Sequence, residues 1–292
     1  MPRITHPRRA RKRTVRQRAD DCLVAAYTTG LTKTYDPSDR PALDNVNVAF
    51  RAGELCAIMG PPGAGKSTLL ACLAGHEPPS VGKVYVGRGD ARPWLPQQVR
   101  QICRGEVGFV LSHSRPFPGR TVLENLEWAA ALAGRPDDIA RAERVAGILG
   151  LLEDLHTPAG HLPADLQHLT MCAAALLPDP SVLLVDESDT GPLSASTLAV
   201  LRRCTAELGT TVVAVTGSPE AAALADRVVF LATGRVAGII TRPAEDVVHE
   251  LREIFAGRHA SRSYVPEQGG PPASSSASAA DPGPPERQPA DA

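Results

Sequence analysis

The stretch Glu54 to Gly75 reads ELCAIMGPPGAGKSTLLACLAG, and it decides the fold. Leu55 to Met59 is a short unbroken apolar run of strand length. Lys66 to Ala74 is a helix-forming run closed by Gly75, a residue suited to the left-handed turn after a helix. Between them Gly60 to Thr68, GPPGAGKST, fits G-x-x-x-x-G-K-[ST] in the strand-loop-helix context that this pattern requires.

Glycines at 60, 63 and 65 let the backbone curl until its N–H groups point at phosphate oxygens, and the helix dipole adds to the attraction. Lys66 is then expected to reach the β and γ phosphates of a nucleoside triphosphate, and Ser67 to ligate Mg2+. Pro61, Ala64 and Thr68 complete the loop, while Pro62 removes one backbone donor from it.

Farther on, LPADLQHLTMCAAALLPDPSVLLVDESD spans residues 162 to 189. Val182 to Val185 is an apolar strand running into Asp186 and Glu187. A strand end beside the loop would bring both carboxylates to a γ-phosphate, Asp186 as a Mg2+ ligand and Glu187 as the base that activates water. The long separation of Lys66 from Asp186 leaves room for an inserted unit.

Between about Leu23 and Gly257 the chain alternates short β-branched runs with helical patterns, the order of a mostly parallel sheet flanked by helices. NVNVAF puts Val46, Val48 and Phe50 on one face and suits a half-exposed antiparallel strand. VYVG, VGFVL, SVLLV, TVVAVT and RVVFLAT are further strands. From Thr121 to Leu177 only helical pattern is found: Thr121 and Glu124 have capping-box spacing, and Val145, Ile148, Leu149 and Leu152 form one apolar face. The expected fold class is therefore α/β, a mostly parallel sheet with an antiparallel β portion and an inserted helical subdomain at about 119–178.

Composition sets the frame. The 292 residues, 43% of them hydrophobic, suffice for one substantial domain or two small ones. With 31 basic against 32 acidic side chains the net charge is -1, which gives no whole-chain reason to expect specific nucleic acid as a partner. Residues 1–20 hold Arg8, Arg9, Arg11, Lys12, Arg13, Arg16 and Arg18 and read as a solvated, disordered leader or as a tether to anionic lipid or nucleic acid. They lack the apolar region of a secretory signal, and no run approaches the length of a transmembrane helix. Cys22, Cys56, Cys72, Cys103, Cys172 and Cys204 show no metal-ligand spacing and read as reduced thiols filling the core. Residues 261–292, rich in Pro, Gly, Ser and Ala, read as a disordered tail.

Over about Leu23 to Gly257 the chain resembles the ATP-binding subunit of an ABC transporter. LTKTYDPSDRPALDNVNVAF is similar to the family's opening strands, GFVLSHSRPFPGRTVLEN to the segment around its Q-loop, and TVVAVTGSPEAAALADRVVFLATGRV to that around its switch histidine. The resemblance implies a P-loop NTPase domain of ABC type over 21–260, with ATP and Mg2+ as ligands and Tyr35 stacking on adenine. It also implies transmembrane permease subunits as partners, a homo- or heterodimer with another ATP-binding subunit, and a cytoplasmic location, peripheral on the inner face of the cell membrane.

Four motifs depart from the family. The Q-loop glutamine falls on Ser112, the signature LSGGQ on Leu162, Pro163, Ala164, Asp165 and Leu166, the switch histidine on Gly217, and the D-loop aspartate on Leu193 or Ser194. Pro163 suits a first helical turn and Asp165 can neutralise its exposed N–H groups, so the helix is expected to cap itself. The ligand-holding residues persist while those aligning water and γ-phosphate across a dimer are replaced, so binding is expected to outlive hydrolysis. Two alternatives stay open: a catalytically weak, nucleotide-gated regulatory or scaffold protein without a transport role, and another kind of P-loop ATPase, since GPPG also opens the loop of AAA+ proteins.

Overall fold

The computed structural model describes residues 24–36, 40–87, 105–135, 138–187 and 191–263, with side chains as far as Ile254. The leader, Cys22, Cys103 and residues 264–292 lie outside the described residues.

The described chain is α/β with two sheets. The strands are β1 (Val24–Lys33), β2 (Leu43–Val46), β3 (Ala49–Arg51), β4 (Leu55–Met59), β5 (Val81–Val86), β6 (Val107–Val110), β7 (Val182–Val185), β8 (Thr211–Val215), β9 (Arg227–Ala232) and β10 (Arg235–Thr241). The helices are α1 (Lys66–Leu73), α2 (Val122–Leu132), α3 (Ile139–Leu149), α4 (Ala164–Leu176), α5 (Ala195–Leu208), α6 (Pro219–Ala223) and α7 (Glu245–Ser263). The last helix runs three residues into the stretch 261–292 that composition marks as tail.

One sheet has the order β10-β9-β4-β8-β7-β6, parallel from β9 to β6 with β10 antiparallel at the edge. β4, β7 and β8 are buried at every position, which is why they read as continuous apolar runs, whereas the edge strand β10 is exposed at alternate residues. Ala57, Met59, Leu183, Val185, Val212 and Ala214 face a core shared with α2 to α7. Cys56, Ile58, Val182, Leu184, Val213 and Val215 face a second core shared with α1 and the antiparallel sheet. In that smaller sheet β1 pairs with β2, β3 and β5.

The expected single strand NVNVAF is divided into β2 and β3, a correction with a local cause. Asn45 adopts a left-handed φ of 51°, and Asn47 Oδ1 takes the N–H of Gly30 in place of a backbone partner. The alternation itself holds, since Val46, Val48 and Phe50 are all buried.

Among the described residues three α-helices, α2 to α4, lie between β6 and β7. Thr121 and Glu124 form the reciprocal capping box at the start of α2. Asp138 caps α3, which ends on Gly150 in the left-handed region. That turn removes Leu152 from the expected apolar face: Val145, Ile148 and Leu149 are buried, but Leu152 is 54% exposed. Cys56, Cys72, Cys172 and Cys204 are free and buried, and burial pushes the Cys72 and Cys204 thiols up to about 12. No helix among the described residues is long and apolar enough to cross a membrane.

Candidate functional site

In an open parallel sheet, loops that leave the carboxyl ends of neighbouring strands converge on one edge. Here β4 leaves into Gly60, β8 into Gly217, β7 into Asp186 and Glu187, and β6 into the segment of Ser112. The strand carrying the carboxylates, β7, is separated from β4 by β8, and the Lys66 charge still acts on Glu187.

The loop needs its glycines for two different reasons. Gly60, Gly63 and Gly65 have φ of 153°, 75° and 95°, and Gly65 stands at the N-cap of α1. A Cβ on Gly60 would lie 2.1 Å from the Leu231 carbonyl oxygen and one on Gly65 2.4 Å from that of Ala42, whereas Gly63 has open space. The loop is thus pressed against β9 on one side and the start of β2 on the other. Across its mouth Lys66 Nζ donates to the carbonyls of Gly60, at 2.9 Å, and Pro61, at 3.2 Å. Ser67 is exposed and Thr68 half-buried at the head of α1.

Asp186 is buried; its N–H donates to Val110 O, and its Oδ1 accepts the Glu187 N–H at 3.0 Å. Glu187 Oε1 is buried with no hydrogen-bond partner. Burial holds the Glu187 carboxyl above the usual carboxylate range, opposed by the Lys66 charge and reinforced by Asp186. Gly217 faces this group: a Cβ there would meet Glu187 Oε1 at 3.5 Å, an ordinary contact. The Gly217 carbonyl accepts from Arg252 Nη1 of α7 at 3.3 Å.

The start of α4 corrects one expectation. Pro163 stands at the N-cap with φ -54° and ψ 152°, outside the first turn, and no side chain caps the helix. Asp165 remains in that turn, where its charge favours the dipole, but its Oδ2 accepts from Ser194 Oγ at 3.4 Å. Ser194 is itself the N-cap of α5, and Leu193 is buried. The Ser112 carbonyl accepts from Arg115 at 3.1 Å.

Tyr35 is brought to the loop from the end of β1, its Oη 3.5 Å from Thr68 Oγ1. Two groups near these positions escape sequence reading. His168 is buried in α4 with neither ring nitrogen hydrogen-bonded. Lys33 lies under the Tyr35 ring, 4.9 Å from its centroid. Its position two residues before Tyr35, at the last residue of β1, gives no pattern that would have found it.

The profile of the ABC transporter family matches residues 43–190. A methionine import ATP-binding protein MetN from Leifsonia xyli subsp. xyli is 36% identical over 217 residues, 71% of this chain and 63% of that protein. A macrolide export ATP-binding/permease protein MacB from Rhodospirillum rubrum is 35% identical over 224 residues, 73% of this chain and 34% of that protein. Among solved structures, a dimeric post-hydrolysis state of the ATP-binding cassette MJ0796 bound to ADP and Pi is similar with a TM-score of 0.63 and 27% identity, over 75% of this chain and 99% of that one. The chain thus spans less than two thirds of the length of either of these relatives. Profile, fold and loop agree, and the chain belongs to the ABC transporter family, whose ATP-binding domain it carries.

Proposed function

We propose that this chain is the ATP-binding subunit of an ABC-type membrane transporter, and that alone it holds MgATP while hydrolysing it little. The loop Gly60–Thr68 cradles the phosphates, with Lys66 turning from the Gly60 and Pro61 carbonyls to the β and γ oxygens. The Ser67 hydroxyl and Asp186 carboxylate are oxygen donors of the kind Mg2+ prefers and would hold the ion, whose charge would offset that of the phosphates. Tyr35 stacks on adenine, and Glu187 addresses the attacking water.

The observation that carries the weak-turnover reading is the meeting of Gly217 with Glu187. The carboxylate oxygen nearest this glycine is buried and unpartnered, and a glycine brings no side chain to align either it or a water. Loss of one preorganised group typically lowers the rate by about 10² to 10³. Asp165 compounds this, since a second copy of the chain would present a carboxylate to the γ-phosphate. A partner ATP-binding subunit with an intact signature, docked with permease subunits on the cytoplasmic face of the membrane, would supply the missing donors. Phe117, Trp128, Leu132 and Ile139, exposed around α2 and the start of α3, support a partner contact there.

Calorimetry and phosphate release test the reading. MgATP should bind the chain and fail to bind Lys66→Ala. Phosphate release should be near background for the chain and for Glu187→Gln. It should rise partially when LSGGQ is restored at 162–166 together with Gly217→His. Robust, Glu187-dependent turnover by the unmodified chain without any partner would overturn it.

A further inference from the structure

Lys33 ends β1 and is buried, with 8% of its surface exposed. An ammonium has three donors and no acceptor, and burying it is costly unless each donor is used. Nζ lies 2.7 Å from Glu77 Oε2 and donates to the Pro78 carbonyl at 3.1 Å. The remaining partner among the described residues is the face of the Tyr35 ring, 4.9 Å from Nζ to centroid. Glu77 and Pro78 follow α1, so one charge joins the end of β1, the segment after the loop helix and the aromatic ring.

The ring needs such a support. Tyr35 is 59% exposed, and a side chain so open to water samples other rotamers unless contacts hold it. Its edge is fixed by Thr68 Oγ1, 3.5 Å from its Oη, and one face is taken by Lys33. Stacking on this ring must use the opposite face.

We propose that Lys33 is a positioning residue for the purine, holding Tyr35 so that its free face meets the base and favours a nucleotide over a bare triphosphate. The inference rests on the reading of Tyr35 as the adenine platform. Lys33 is buried and its donors are spent, so it makes no contribution to the phosphates themselves.

The test compares dissociation constants for MgATP and for magnesium tripolyphosphate, which lacks the base, using the full chain. Lys33→Met should weaken MgATP about two- to fivefold, the scale of one cation–π contact, and leave tripolyphosphate unchanged. Lys33→Arg should retain the wild-type preference, and Lys33→Met should have no further effect in a Tyr35→Ala background. The double variant Lys33→Met/Glu77→Gln, which removes the unpaired carboxylate, should behave as Lys33→Met. Equal weakening of both ligands, no change in either, or full additivity with Tyr35→Ala overturns this proposal while leaving the nucleotide site intact. A wild-type chain that binds neither ligand removes the nucleotide reading and this proposal together.

Discussion

Replacing Gly60 and Gly63 by alanine separates collision from backbone strain within one loop. Both glycines occupy the positive-φ region, at 153° and 75°. Alanine at 63 meets nothing within 4 Å, so its cost is the left-handed backbone alone, about 1–2 kcal/mol. Alanine at 60 pays for its unusual backbone, roughly 1–3 kcal/mol, and also places Cβ 2.1 Å from the Leu231 carbonyl oxygen. That oxygen belongs to β9, which is paired with β4 through Met59 and Phe230, so it retreats only if the strand pair parts. Overpacking of this kind costs about 1–3 kcal/mol, so the two effects together remove roughly 2–6 kcal/mol from a domain whose whole stability is of order 5–15 kcal/mol. Urea unfolding followed by circular dichroism measures both variants, and equal slopes of the transitions would show that stability alone has changed. Gly60→Ala should lose at least about 1 kcal/mol more than Gly63→Ala. Equal losses would refute the close packing of the loop on β9.

Arg227→Met should cost about 3–5 kcal/mol in the same assay, because it strands the buried Glu54, whose Oε1 lies 2.9 Å from Arg227 Nη1; a loss below about 1 kcal/mol would mean that the pair is solvated. His168 predicts acid sensitivity. Burial, aided by the Arg115 charge and opposed by Asp165, lowers its affinity for a proton below that of the unfolded chain. Above the usual imidazole range both states are neutral and this group contributes no slope. As pH falls through about 6.5 the unfolded state takes up the proton first, so stability declines by at most about 1.4 kcal/mol per pH unit from this group. His168→Leu should flatten the fall between pH 7 and 5 in thermal or urea melts, and an unchanged slope would refute the assignment.

Much of the nucleotide loop was legible in the chain because its requirements are local. Gly60, Gly63 and Gly65, Lys66 and the apolar run before them are consecutive, and the same holds for Val182 to Glu187 and for the Thr121–Glu124 cap. Where local pattern met a turn it failed: period two across NVNVAF could not reveal that Asn45 and Asn47 divide it, nor helical spacing that Gly150 turns Leu152 outward.

Strand order lies beyond such patterns. Nothing in β4, β7 and β8 says that β8 lies between the other two, since all three are equally apolar and the order follows from how the crossovers pack. That order sets Gly217 against Glu187 and leaves a carboxylate oxygen without a partner. Asp165 lies in the first turn of its own helix as read, and its carboxylate also accepts from Ser194 of the next one, a contact no local pattern announces. Local propensity and periodicity are written in neighbouring residues, so the elements and the loop could be read from them. The contacts of Gly60 with Leu231, Lys33 with Glu77, and Gly217 with Glu187 join distant stretches of chain, and only the packed sheet, by burying both faces at once, brings them together.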